Sequence, residues 1–211
     1  MIDKPLLYNI ALSALRLNHQ TSDPDNDKTL AVKQLRLIYP LALSKTLADM
    51  DLNKTATKLK LELLAKEHPH WAYVYKYPVN CAKFRRIVSP FVIDNKTTRI
   101  ASATEVIDNI DVILSNEPEA YAEIIPSNIN LSALNPNAAM AVGFQMALMC
   151  PALVVGKGST ALRQGVFDEY KLYKAEAQED DINENVDTTP DEFNSEFIMA
   201  RLGGGRWPSG I

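Results

Sequence analysis

Four groups of residues carry side chains from which chemistry could be built. The run Val155-Gly156-Lys157-Gly158-Ser159-Thr160 has the glycine, lysine and hydroxyl types of a phosphate-binding loop. Such a loop needs an earlier glycine five residues before the second, and a Ser or Thr directly after the lysine to reach a metal ion. Here position 151 is Pro and position 158 is Gly, so both requirements fail. The plainer reading is a glycine that stops one helix and a Ser or Thr that starts the next. Asp23, Asp25 and Asp27 have the opening spacing of a calcium loop, but Lys28 stands where the loop needs Gly and Gln34 where it needs a bidentate Glu. They fit a polar loop that caps the following helix. His68, His70 and Cys81 form a sparse set of metal donors spread over an expected loop. His19 is the remaining histidine, and no paired carboxylates stand out. No catalytic residue, metal site or cofactor is therefore expected, and the chain does not read as an enzyme.

The fourth group is an aromatic row: Trp71, Tyr73, Tyr75 and Tyr77. Alternation places the three tyrosines on one face of a strand. With Lys76, Lys83, Arg85 and Arg86 nearby, they could stack the bases of a single strand. The basic company is thin, so an exposed contact with a neighbouring subunit is favoured, Tyr and Trp being typical interface anchors.

The elements that must position these groups follow from the rest of the chain. Its 211 residues are 46% hydrophobic, enough for one domain with a true core, and the net charge of -4 argues against a protein whose main task is to grip phosphates. No apolar run approaches 18 residues, so no membrane span is expected, and the first residues lack the apolar stretch of a secretory signal. Two widely separated cysteines, Cys81 and Cys150, fit a reducing compartment or an unoxidised particle.

Apolar periodicity predicts a helix over 4–17, capped by Asp3, and a second over about 28–49 with Leu30, Ala31, Leu35, Ile38 and Ala42 as its inner stripe. Pro40 predicts a kink or break in it. The period then changes to two: Leu59, Leu61 and Leu63 alternate with charged residues, and further short strands are expected at 72–77, 84–88, 98–101, 112–114 and 120–125. Helices return at 137–150, apolar almost all round, and from Ser159 or Thr160 to about Asp181, with Leu162, Val166, Tyr170 and Tyr173 inward. The expected fold class is α+β: a four-helix bundle with an inserted small antiparallel β region and an extended C-terminal arm. The expected divisions are a first helical pair over 1–54, the β insertion over 55–126, a second helical pair over 127–184, and an acidic linker with the arm over 185–211. The acidic stretch 178–196 reads as a solvated spacer.

Several segments together resemble the tail tubular protein A family, the head-to-tail adaptors of short-tailed phages. The helix segment Leu37-Ile-Tyr-Pro-Leu-Ala-Leu-Ser-Lys-Thr-Leu47 is similar to the family's second helix. Ala56-Thr-Lys-Leu-Lys-Leu-Glu-Leu-Leu-Ala65 and Trp71-Ala-Tyr-Val-Tyr-Lys-Tyr-Pro-Val-Asn-Cys-Ala-Lys-Phe-Arg-Arg-Ile87 resemble its strand and the passage that follows, with Asn80 where the family usually has Asp. Residues 138–153, ending Met149-Cys150-Pro151-Ala152-Leu153, resemble its third helix; 169–181 resemble its last helix, and Ser195-Glu-Phe-Ile-Met-Ala-Arg201 its tail motif. The resemblance spans most of 4–201, and the ending Gly203 to Ile211 departs from it. It implies a ring of identical subunits, dodecameric to match the portal, with the portal protein at one end and the tail nozzle or tube protein at the other. Double-stranded DNA would pass through the lumen without specific binding, and the location would be the virion's head-tail junction, after assembly in the host cytoplasm. Other connectors, such as a head-completion or tail-terminator protein, and a cytosolic α+β binding module are the alternatives.

The arm supplies the last candidate residues. Three consecutive glycines and Pro208 rule out a regular element over 203–211, yet the segment and its approach carry Arg201, Arg206, Trp207 and Ile211. Side chains of these types dominate contact energies, so they are expected to dock on the portal or a neighbouring subunit.

Overall fold

The computed structural model describes residues 2–88, 100–150 and 159–184. Helix α1 spans Lys4–Ala14; the Asp3 side chain accepts the N–H of Leu6 at 3.0 Å, and Pro5 sits in the first turn, where its missing N–H costs nothing. Helix α2, Leu30–Met50, runs without interruption through Pro40, so the expected break is absent. It ends at Asp51 in the left-handed conformation with φ 56°. A 3₁₀ turn at Asn53–Thr55 leads into the strands.

Six strands follow: β1 Thr57–Lys60, β2 Tyr73–Lys76, β3 Cys81–Val88, β4 Ser102–Ile107, β5 Ile110–Ser115 and β6 Tyr121–Pro126. They form two antiparallel sheets with the orders β1-β6-β3 and β2-β5-β4. Asp108 and Asn109 both have positive φ, 51° and 63°, which makes the two-residue turn that matches the twist of the β4–β5 hairpin. The sheets meet at both edges. Leu63, just past β1, bridges to Tyr75 of β2, and Ile87 of β3 bridges to Ile100, just before β4. Leu61, Tyr75, Ile87, Ile113, Ala120, Ala122 and Ile124 fill the space between the sheets. Helix α3, Pro136–Met149, starts under an Asn135 cap that accepts the N–H of Ala138 at 2.7 Å, and α4 spans Ser159–Glu184.

The expected four-helix bundle with a small β insertion is corrected by this architecture. The protein is α+β, with four helices and two three-stranded antiparallel sheets among the described residues. The helices do not close a core among themselves. Helix α3 touches α1, α2 and α4, but α2 also packs on β3 and β6, and Ile125 of β6 belongs to the same apolar cluster as Leu7, Leu35, Val142 and Tyr170. The physical reason lies in β6. Its residues Ala122, Glu123, Ile124 and Ile125 are all buried, so the strand has a core on each face: Ile124 looks to the other sheet and Ile125 to the helices. A strand covered on both sides is an interior layer of the fold.

Two smaller corrections follow from packing. The inner stripe of α2 is Val32, Leu35, Ala42, Leu43, Leu47 and Met50, whereas Leu30, expected to face inward, is 72% exposed. The acidic spacer expected from residue 178 does not start there. Residues 178–184 are the last turns of α4; Asp181 is buried, and Gln178 donates to the Met50 carbonyl at 2.8 Å. The extended C-terminal arm lies outside the described residues.

Candidate functional site

The seam between helices and sheets is held by charge. Asp51, presented by the left-handed end of α2, receives Lys83 at 2.6 Å and the Arg85 guanidinium. Arg85 Nη1 also donates to Glu123 at 3.0 Å and to Asn53 at 3.0 Å, and Arg86 Nε donates to the second Glu123 oxygen at 2.9 Å. Burial opposes the charge on Asp51 and Glu123, but the lysine and arginine partners outweigh it and hold both carboxyls below the usual carboxylate range. Burial likewise works against charge on Arg85, and Asp51 and Glu123 together more than offset it. Every group has an opposite partner within hydrogen-bond distance. The cluster joins α2 to β3 and β6, which is a structural task.

The aromatic row is not an exposed platform. Tyr75 is 1% exposed; it fills the space between the sheets, and its hydroxyl donates to the Glu117 carbonyl. Tyr73 and Tyr77 are partly buried against the same cluster. Burial, followed by the neighbouring Cys81, pushes the Tyr77 hydroxyl up to about 12. Trp71 precedes β2 and packs instead with Val74, Val112 and Leu114. Tyr75 is therefore occupied within its own chain, which corrects its placement on a contact surface.

The candidate metal donors have other employment. His68 Nε2 faces Glu105 at 3.2 Å, while Cys81 Sγ lies 3.6 Å from the Tyr77 hydroxyl. In the 23–27 loop, Asp23 accepts the N–H groups of Asp25 and Asn26, and Asp27 accepts from Thr29 and meets His19 at 2.8 Å. The His19 contact, then those to Thr29, hold the Asp27 carboxyl well below the usual range. Among the described residues no group of three or more His, Cys, Asp or Glu side chains could hold a metal ion. The glycine-lysine run at 155–158 and the arm residues Arg201, Arg206, Trp207 and Ile211 lie outside the described residues.

Among the described residues two apolar surfaces stand out. One is a cleft of about 650 Å³ between α1, α3 and α4, lined by Ile10, Ala14, Met140, Phe144, Leu162 and Tyr173, with Arg16 and Glu169 also on its wall. The other is the outer face of α2. Leu30, Leu37 and Leu41 are 72%, 84% and 61% exposed. Spacings of seven and eleven put all three within about 20° of one line down the helix, on the side opposite the buried stripe. Lys33 and Lys45, both exposed, flank this line at about 60° on either side. The only carboxylate of α2, Asp49, is taken by the Tyr170 hydroxyl at 3.0 Å. Sequence reading missed this face because it assigned Leu30 to the core and left Leu37 and Leu41 unassigned. The signal was present as a second apolar line at helical spacing.

Among the described residues no helix is long and apolar enough to cross a membrane. The chain matches no family model and no curated protein.

Proposed function

We propose that this chain is a structural subunit without enzymatic activity that assembles into a ring as a head-to-tail adaptor of a phage. In that role it binds the portal protein on one side and the tail nozzle or tube on the other, and DNA passes through the lumen. The single observation that carries the proposal is the leucine line on α2. Three leucines at 61–84% exposure on one helix face, rimmed by lysines, make a surface that asks for a protein partner. Leu37 and Leu41 also fall inside the segment whose sequence resembles the adaptor family. A ring supplies each copy with a neighbour on either side through heterologous contacts, so a face of this kind is covered in every subunit.

The test is assembly. Purified protein mixed with portal rings is followed by size exclusion with light scattering and by electron microscopy. Added ring density on the portal is the expected result, and Leu37→Asp/Leu41→Asp loses it while keeping its circular dichroism spectrum. A compact monomer that ignores portal points to a binding module outside virions.

A further inference from the structure

We infer that the pocket between α2, α3 and α4 binds a guanine mononucleotide, with the base held by Asp49, Gln145 and Phe167 and the phosphate by Lys45 and Arg163. The inference goes beyond the assembly role proposed above and does not depend on it.

The pocket holds about 490 Å³, within the range of small-molecule sites, and three helices supply its walls. Two observations point to a ligand. The first is Gln145 of α3. It is 3% exposed and lines the pocket, and its amide makes no hydrogen bond with another described residue. A buried amide without partners costs free energy, which a ligand carrying both a donor and an acceptor recovers. The second is the pair Lys45 and Arg163. Both are exposed on the pocket wall, and neither forms an ion pair among the described residues.

The helix directions sort these groups into two ends. Asp49 meets Tyr170 at 3.0 Å and Lys54, just past α2, meets Glu184 at 3.1 Å, so α2 and α4 run alongside in the same direction. Lys45 lies one turn before Asp49, and Arg163 two turns before Tyr170. The cations therefore stand at one end of the pocket and Asp49 with Tyr170 at the other, about 10 Å apart at 1.5 Å per residue. Helix α3 runs the opposite way, since Asn135 at its start donates to the Ala177 carbonyl and Phe144 stacks on Tyr173. That direction puts Gln145 at the Asp49 end.

The two ends select the ligand. A phosphate suits Lys45 and Arg163, whose planar fork takes two of its oxygens. The exposed Asp49 carboxylate would repel a phosphate at the other end, so the group that lies there must donate. Burial, then Asp49, raises the Tyr170 hydroxyl, which stays protonated, donates to Asp49 Oδ2 and leaves Oδ1 for the ligand. Guanine presents two adjacent N–H donors to a carboxylate, and the O6 beside them accepts from the Gln145 amide. Adenine sets an unprotonated ring nitrogen against the same carboxylate. Between the ends, Phe167 offers a stacking surface. Lys171 Nζ stands 4.2 Å over its ring and does not line the pocket, so the ring's other face is left for the base.

The test uses the full-length chain without portal, so its outcome is independent of the assembly experiment. Calorimetric titration with guanosine 5′-monophosphate should show one site per chain. Adenosine 5′-monophosphate, guanosine and inorganic phosphate should each bind at least about tenfold more weakly. Lys45→Glu/Arg163→Glu alters two exposed side chains, keeps the circular dichroism spectrum and should weaken binding about a hundredfold. Gln145→Leu keeps the side-chain size and should cost about tenfold, and Asp49→Asn should lower the preference for guanine over adenine about tenfold. Methyl NMR locates the ligand: Met149 on the pocket wall should shift on titration, and Met140 on the wall of the α1–α3–α4 cleft should not. No binding up to about 1 mM nucleotide overturns the inference. So does adenosine monophosphate binding as well as the guanine nucleotide, and so does phosphate alone binding as tightly, which would leave only a cationic patch. A shift at Met140 in place of Met149 moves the ligand to the cleft and overturns it too.

Discussion

The carboxylate of Asp181, near the end of α4, accepts the backbone N–H of Asn53 at 2.8 Å, and its other oxygen accepts the next N–H, of Lys54, at 3.1 Å. These two donors open the 3₁₀ turn after α2, where the chain has no carbonyl of its own to offer them. A residue 128 positions away in sequence thus acts as the cap, and it fixes α4 to the junction between helices and sheets. Asp181→Ala should lower stability by about 1–2 kcal/mol, as loss of a helix cap does, with two part-buried hydrogen bonds unmade. Denaturant unfolding checks this; an unchanged midpoint would mean that α4 is held by its apolar face alone.

Gly143 is the point where α3 meets α1. A methyl group placed there would stand 2.3 Å from Ile10 Cγ2 and 2.6 Å from Ile10 Cβ. The side chain cannot give way cheaply, because its own Cβ is in the path. Gly143→Ala should therefore destabilise by about 1–3 kcal/mol despite the better helix propensity of Ala. Ile10→Ala should recover part of the loss in the double variant, which a thermodynamic cycle measures.

Tyr75 separates a core role from a contact role. If it holds the two sheets together, Tyr75→Ala should cost about 3–5 kcal/mol in the isolated chain. Tyr75→Phe, which loses only the hydroxyl bond to the Glu117 carbonyl, should cost about 1 kcal/mol. A Tyr75→Ala variant as stable as the parent would restore the aromatic row to the surface.

The acid limb of stability should belong to the seam. Asp51 and Glu123 have folded-state values below the ordinary ones, so their contribution is present above about pH 4, the unfolded range, and is lost as pH falls through the folded values. Glu123→Gln should cost about 2 kcal/mol at pH 7 and flatten the acid limb. The alkaline limb has the opposite sign. Burial, then Asp25 and Tyr39, raises Tyr8 to about 12, and burial with Asp49 raises Tyr170 further. Stability from these groups is full below about pH 10 and falls as pH rises through the folded values. Chemical denaturation across pH 3–11 tests both limbs.

Local signals were legible in the sequence. Asp3 and Asn135 start helices at the positions their types dictate, and the change from helical to alternating period near residue 57 marks where strands begin. The bonds of the 23–27 loop run to neighbours in sequence, Asp23 to Asp25 and Asn26 and Asp27 to Thr29, but none reaches an N–H of α2, so the expected side-chain cap of that helix is absent. Strand β4 was missed because Asp108-Asn109 is a less familiar turn pair than Asn-Gly, and because the strand's Thr104, Glu105 and Val106 are exposed, leaving little apolar alternation to read.

What the sequence determined by itself is the order and type of most elements, because caps, turns and periodicity act over a few residues. Tertiary structure alone decided which face of each element is inside. Alternation puts Tyr73, Tyr75 and Tyr77 on one side of a strand but cannot say whether that side meets a second sheet or water. Helical spacing gives α2 two apolar lines, one through Leu35 and one through Leu37, and cannot say which is the core. That choice depends on which surface lies within reach once α3 and β6 are in place, and β6 takes its own position from β1 and β3 on either side. Burial is a property of the assembled layers, and the free energy of removing apolar area from water has no direction along the chain.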